Sequence, residues 1–376
     1  MILRSRERCY TDPAVIRVQE NIPLAPMTTL GIGGPARYFA EARTEDEVRD
    51  AVDFASSHDC GLLVLGGGSN LVVSDAGVDA LVLRIQIDDT TFGADGNGST
   101  VTAGAGRDWD SLVDECVARD LAGIECLSGI PGWVGATPVQ NVGAYGQEVS
   151  STIVRVRVFD RQQASVLDLT AADCGFAYRS SIFNATARGR YIILSVTYSL
   201  VPGGAPTVRY PDLERRLGSD GHRTLAEVRA IVCEVRAAKA MLLVDGDPDA
   251  KSVGSFFRNP IVSAADLADV EKRASLGAGE SVPAYAVPGD HKIPAAWLIE
   301  RAGFHRGTTR GPAAISSRHA LALVNRGGAT AEDVLGLAGE IQDGVFERFG
   351  IRLLPEPSFV GFAVEVVKRY GAVGLD

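Results

Sequence analysis

The chain has 376 residues, enough for two or three domains, and its 46% apolar and 22% charged residues can bury an ordinary core, which excludes disorder as the default. Its 37 Lys and Arg against 47 Asp and Glu give a formal net charge of −10, which excludes the broad basic face of a nucleic-acid binder but not a local site for a small anion. Six scattered cysteines without CxxC spacing argue against a disulfide framework, the histidines show no zinc-ligand spacing, and no apolar run approaches the roughly 18–20 residues of a membrane span.

In chain order, residues 1–20 are polar, lack the apolar core of a secretory signal and read as a flexible extension. Structure is predicted to start near Asn21. Residues 44–58 open with Thr44 and Glu47 as a capping box and carry Val48, Val52, Phe54 and Ala55 at helical spacing. Leu62–Leu65 reads as a short buried strand, Ala80–Ile85 as another, and 108–121 as a helix with Trp109, Leu112, Val113 and Val117 on one face. Residues 152–169 and 190–200 have the Val, Ile, Thr and Tyr content of strands. Pro202 to Pro206 marks the expected end of the first unit. A helix follows at 224–239, capped by Thr224 and Glu227, then a turn-like, mobile loop at 244–252 and helices at 294–302 and 330–348. The pattern is α+β.

Two segments stand apart. Leu65-Gly66-Gly67-Gly68-Ser69-Asn70-Leu71 places three glycines directly after a strand, where backbone N–H groups can approach an anion and Ser69 and Asn70 can add donors. An ordinary hairpin turn would use the same glycines, and the loop does not open a long helix as GxGxxG does. The second segment, Gly123–Val149, is rich in Gly and Pro yet poor in charge. It carries Gly129, Ile130, Pro131, Gly132, Gly135, Ala136, Gln140, Asn141, Gly143, Ala144, Tyr145 and Gly146. No regular element accepts that composition, and a surface loop would be more polar. Backbone wrapped around a large flat ligand accounts for it.

These segments, with TTLGIGGPARYF (Thr28–Phe39), YRSSIF (Tyr178–Phe183), VGSFFRNP (Val253–Pro260), IPAAWLIERAGF (Ile293–Phe304), HALALVN (His319–Asn325) and LLPEPSFVG (Leu353–Gly361), resemble in order the UDP-N-acetylenolpyruvoylglucosamine reductase family. The resemblance implies an FAD-binding fold of the p-cresol methylhydroxylase type over 21–205, with two subdomains, and a substrate-binding α+β domain over 206–362. Residues 363–376 are left as an extra tail. It also implies non-covalent FAD held by the two glycine segments, NADPH as co-substrate, and a UDP-amino sugar as the partner molecule. Neither nucleic acid nor membrane is expected, and the chain is expected to work as a cytoplasmic monomer.

For the reaction, the resemblance assigns Ser255 as proton donor to an enolate-like intermediate, Arg179 as the fork that pairs with the substrate carboxylate, and Glu356 as its hydrogen-bonding acid. Tyr178, Tyr210, Lys239, Asn259 and Tyr285 are carried over as substrate-binding residues. Each has a plainer reading: a serine after glycine is commonly a turn residue, an arginine beside a strand a surface charge, a tyrosine a core-edge residue. The chain departs from the family pattern at Ser180, where Asp is common, at Ser358, where a base is common, and in the longer, more acidic stretch between Lys239 and Ser255. A reductase of another enolpyruvyl nucleotide in secondary metabolism, a flavoprotein oxidase of the same fold, and a flavin scaffold without turnover remain as alternatives.

Overall fold

The computed structural model describes residues 16–96, 98–217, 223–277 and 279–375. The expected extension therefore lies mostly outside the described residues, but its end does not behave as one. Ile16 and Val18 are 3% and 6% exposed in the core, and the first strand is Val18–Pro23.

The chain divides into two compact units. One holds 36–67 and 79–242 with the N-terminal residues to 22; the other holds 23–35, 68–78 and 243–376. The units therefore part at Leu242 and not at the Pro/Gly stretch near 205, because the helix after that stretch packs back on the first unit. Two short pieces of the N-terminal region also belong to the second unit.

In the first unit, strands Val18–Pro23, Pro35–Ala42, Val78–Ile85 and Gly61–Leu65 form one sheet in that order, its last pair parallel. Helix α1 (Glu45–Ser57) follows the capping box formed by Thr44 and Glu47 and buries Val48, Ala51 and Ala55. A larger antiparallel sheet runs Ser165–Thr170, Ile153–Asp160, Tyr191–Pro202, Gly98–Gly104 and Thr90–Asp95. Its alternating Val156, Val158, Ile192, Leu194 and Val196 share one core with α2 (Trp109–Ala118), whose Trp109, Leu112, Val113 and Cys116 are buried. After α3 (Pro211–Leu217), α4 (Leu225–Ala238) lays Val228, Val232 and Val235 against Cys126 and Leu213 in a separate small cluster. The helical period of those valines explains why the unit extends to 242.

In the second unit, four-stranded and three-stranded antiparallel sheets pack with α5 (Ala264–Arg273), α6 (Ala295–Arg301) and α7 (Ala331–Phe349). α7 starts at the Thr330–Asp333 capping box, ends on Gly350 in the left-handed region at φ 73°, and buries Leu337, Ile341, Val345 and Phe349. Leu71–Val73 pairs in parallel with Ser358–Val360. The described part of the expected tail, residues 363–375, is not bare: α8 (Val364–Tyr370) leads to strand Val373–Leu375, parallel to Ser358–Val360. The loop 244–252, expected to be mobile, is held. Asp249 is 1% exposed and accepts hydrogen bonds from Ser316 Oγ at 2.9 Å, Ser317 N at 2.9 Å and Ser317 Oγ at 2.7 Å, with the Arg326 guanidinium 2.6 Å away.

Candidate functional site

In the first unit, strand Gly61–Leu65 delivers Gly66 and Gly67 to the Gly123–Val149 segment. A Cβ on Gly67 would stand 2.8 Å from Gly132 Cα and 3.3 Å from Trp133 Cδ1, and one on Gly66 would lie 3.8 Å from Ala136 Cβ. Only glycine allows that approach at residue 67. The two glycine-rich stretches, distant in sequence, are thus neighbours in space. The N–H groups of Gly67, Ile130 and Gly132 meet no acceptor among the described residues. Gly135 is anchored instead, its N–H donating to Ala105 O at 2.9 Å.

The peptide of Gly129 is gripped at both ends. Its N–H donates to Asp110 Oδ1 at 2.6 Å, and its carbonyl accepts from Arg236 Nε at 3.0 Å. Asp110 is locked in turn by Arg229, at 2.5 and 2.9 Å, so α2 and α4 together fix the start of Ile130-Pro131-Gly132. Burial pushes the Asp110 carboxyl up, but hydrogen bonds from Arg229 and the Gly129 amide outweigh it and hold the group below its ordinary range. Burial pulls Arg236 down. These three residues were not singled out from sequence. The available signal was Arg236, a charge beside Val228, Val232 and Val235 on the buried stripe of α4.

Further on, Gly143–Ala144 and Gln147–Glu148 form a two-rung hairpin tipped by Tyr145 and Gly146, at φ 50° and 85°. Tyr145 packs edge-on to Tyr210, centroids 5.5 Å apart. Gln140 is half-buried in this segment. Asn141 requires a correction. It is 1% exposed, its Nδ2 donates to Glu148 Oε2 at 2.9 Å and Ala177 O at 3.2 Å, and its Oδ1 accepts from Ser150 N at 3.1 Å. With both donors engaged, the side chain ties the segment together and leaves only the second lone pair of Oδ1 for a cofactor.

Tyr178 and Arg179 tip a tight turn closed by mutual hydrogen bonds between the backbones of Ala177 and Ser180. Ser180, where Asp was the family expectation, closes the turn through its backbone, and its Oγ donates to Asn184 Oδ1 at 3.5 Å. Arg179 sits at φ 53°, and its Nη2 donates to Gly143 O at 2.9 Å, joining the turn to the glycine segment. Lys239 is the C-cap of α4.

In the second unit, Gly68 is buried in the left-handed region at φ 63°, and a Cβ there would strike the Met27 carbonyl. The N–H groups of Gly68 and Ser69 also meet no acceptor among the described residues. Asn70 Nδ2 donates to Glu356 O at 3.4 Å, Asn70 O accepts from Ser358 N at 3.0 Å, and Leu71 opens the paired strand. Ser255 ends strand Ser252–Ser255, and the carbonyl of the next residue, Phe256, accepts from the Glu356 amide at 2.8 Å. Ser255 and Glu356 are therefore brought onto adjoining chains within one unit. Asn259 turns its Oδ1 to the Ala295 amide at 2.9 Å, capping α6. Tyr285 lies 61% exposed on strand Tyr285–Val287.

Backbone amides without protein acceptors suit the pyrophosphate and ring edges of a flavin dinucleotide, and each unit offers them. No Cys or His lies in 63–73 to tether such a group covalently.

Residues 36–170 match the family model described as an FAD binding domain, and residues 247–360 match UDP-N-acetylenolpyruvoylglucosamine reductase, C-terminal domain. The chain is 47% identical to the UDP-N-acetylenolpyruvoylglucosamine reductase of Thermobifida fusca over 91% of its own length and 97% of that protein's. It is 46% identical to the protein of the same name from Streptomyces coelicolor, covering 92% of each. The crystal structure of UDP-N-acetylenolpyruvylglucosamine reductase from Thermus caldophilus superposes with a TM-score of 0.62 at 27% identity, over 92% of this chain and 99% of that one.

Proposed function

The chain belongs to the UDP-N-acetylenolpyruvoylglucosamine reductase family, and from that membership we propose how its residues divide the work. It is an FAD enzyme that reduces the enolpyruvyl group of UDP-N-acetylglucosamine enolpyruvate in peptidoglycan synthesis. Bound FAD supplies the hydride, which in this reading comes from NADPH and goes to the terminal carbon of the enolpyruvyl double bond.

The adjacent carbon, beside the substrate carboxylate, then needs a proton. Ser255 Oγ gives it and regains one from water. An alcohol is a weak acid, so the step depends on a strongly basic enolate and on groups that steady charge nearby. Glu356 hydrogen-bonds the enolic carboxyl as a neutral acid. Arg179 pairs its guanidinium with the substrate carboxylate, aided by the fixed geometry of its turn. The observation that carries this reading is the 2.8 Å bond from the Glu356 amide to Phe256 O, which seats Glu356 beside the residue that follows Ser255. Tyr178, Tyr210, Lys239 and Tyr285 bind the nucleotide and diphosphate; Asn259 does so with the side-chain face that does not cap α6. The enzyme acts as a cytoplasmic monomer.

The test is anaerobic. In the Ser255→Ala variant, NADPH should still bleach the flavin, while return of the yellow absorbance on adding UDP-N-acetylglucosamine enolpyruvate should slow by roughly 10²–10⁴-fold, the usual worth of a positioned proton donor. Unchanged reoxidation would remove Ser255 from the mechanism.

A further inference from the structure

The stretch matching the reductase C-terminal domain stops at residue 360, yet the chain continues into α8 and strand Val373–Leu375. That strand registers Val373, Gly374 and Leu375 beside Ser358, Phe359 and Val360, whose other edge pairs with Leu71–Val73. Without it, Ser358–Val360 would belong to a two-stranded parallel pair, which is weak by itself; with it, that strand is central. Glu356 stands two residues before this strand.

The tail is also tied on the other side of Glu356. Gln342 of α7 is 3% exposed and donates from one Nε2 to both Leu353 O at 2.7 Å and Tyr370 O at 2.9 Å. Arg352 Nη1 donates to Arg369 O at 2.9 Å. Tyr370 is 6% exposed, and its hydroxyl donates to Leu335 O at 2.9 Å, next to Gly339, where a Cβ would come within 3.3 Å of that hydroxyl. The tail thus fastens to 352–353 before the glutamate and to 358–360 after it. Pro355 and Pro357, which flank Glu356, donate no N–H bonds, so the segment's own backbone anchors are the Glu356 amide on Phe256 O at 2.8 Å, Leu354 O under Arg258 N at 2.9 Å and Glu356 O under Asn70 Nδ2 at 3.4 Å, and the tail adds to these.

We propose that residues 363–375 are a splint that sets the position of Glu356, with Gln342 and Tyr370 as positioning residues for the second half-reaction. The proposal rests on the role given to Glu356 above. A displacement of about 1 Å at a reacting group can slow a step by roughly 10²-fold, so a modest loosening of this bracket should be visible in rate.

The experiment uses the FAD-loaded full chain, a variant ending at Gly371, Gln342→Met, Tyr370→Phe, Glu356→Gln, and Glu356→Gln combined with the truncation. Stopped flow measures flavin reduction by NADPH and reoxidation by UDP-N-acetylglucosamine enolpyruvate, each normalised to bound FAD. Expected are a tenfold or greater loss in reoxidation for the truncation and Gln342→Met, a smaller loss for Tyr370→Phe, and reduction within twofold of the parent. The truncation should add little once Glu356 is Gln, because both act through one group. Equal slowing of both half-reactions, or a loss that multiplies in full with Glu356→Gln, overturns the splint. If the truncated chain does not fold, the two point variants decide by the same ratio. Glu356→Gln at the parental reoxidation rate refutes the role of Glu356, and the splint with it. A slow Glu356→Gln beside a truncation at the parental rate refutes the splint alone.

Discussion

Arg179 is held by its neighbours before any substrate arrives. Its left-handed backbone and its bond to Gly143 O limit the directions its guanidinium can take. Arg179→Lys keeps the charge but loses the planar fork, and should raise KM for the enolpyruvyl substrate roughly tenfold while leaving flavin reduction unchanged, measured by steady-state and half-reaction kinetics. The cysteines give a second test at this scale. Burial pushes the thiols of Cys116, Cys126 and Cys174 up to about 12. At pH 8 only about one part in ten thousand of such a thiol is thiolate, so iodoacetamide on the folded protein should spare these three, as peptide mass mapping would show; denaturation should expose all of them. Ser255, Arg179 and Glu356 are proposed as the reacting set only because their motifs stand in family order. Each alone reads as a turn or surface residue. Asp110, Arg229 and Arg236 were not legible, since what defines them is a partner about a hundred residues away, and no local pattern records that.

The glycine segment depends on helices that never enter it. Asp110 on α2 and Arg236 on α4 fix the Gly129 peptide, and Ile130 to Gly132 follow rigidly from it. Asp110→Ala leaves that amide without its acceptor and leaves Arg229 with Asp114, at 2.8 Å. A hydrogen bond involving a charged group contributes about 1.5–3 kcal/mol, so FAD affinity should weaken by roughly tenfold or more if the clamp holds the amides in place. Asp110→Asn keeps an oxygen for Gly129 and should retain most of the affinity. Fluorescence titration of apoprotein with FAD separates the two, and identical FAD binding in both variants would show the clamp to be irrelevant to the cofactor. The helices opened by Thr44–Glu47 and Thr224–Glu227 were readable locally, because those signals are complete within four residues, whereas α5, opened by the Ser263–Asp266 box, was not read. α8 was not either, being one short helix with no side-chain cap, held by its own Tyr370 hydroxyl on Leu335 O and by Gln342 reaching in from α7.

Across the whole molecule, the second unit takes Leu71–Val73 from far upstream, and this undoes a division read from composition alone. A fragment starting at residue 206 carries the reductase-type domain and keeps Val373–Leu375 beside Ser358–Val360, but it lacks the partner on the other edge, Leu71–Val73. It should show weak protection in hydrogen exchange, and supplying residues 23–78 in the same chain should restore it. Each unit also holds a carboxylate below its ordinary range. Asp160 is lowered by its hydrogen bonds from Arg190. At Asp249, burial acts upward but is outweighed by hydrogen bonds from Ser317 and Ser316. A depressed native pKa stabilises the fold above the unfolded value of about 3.9, and that contribution is lost as pH falls through the native pKa. Melting curves should therefore steepen in their loss of stability below about pH 4, and Asp249→Asn should lower stability at pH 7 while flattening that acid limb. The long-range strand pair has a further consequence during synthesis. At roughly 5–20 residues per second, a ribosome needs on the order of tens of seconds to travel from Leu71 to Ser358. Through that interval the nascent strand Leu71–Val73 waits without Ser358–Val360, its partner in the finished sheet.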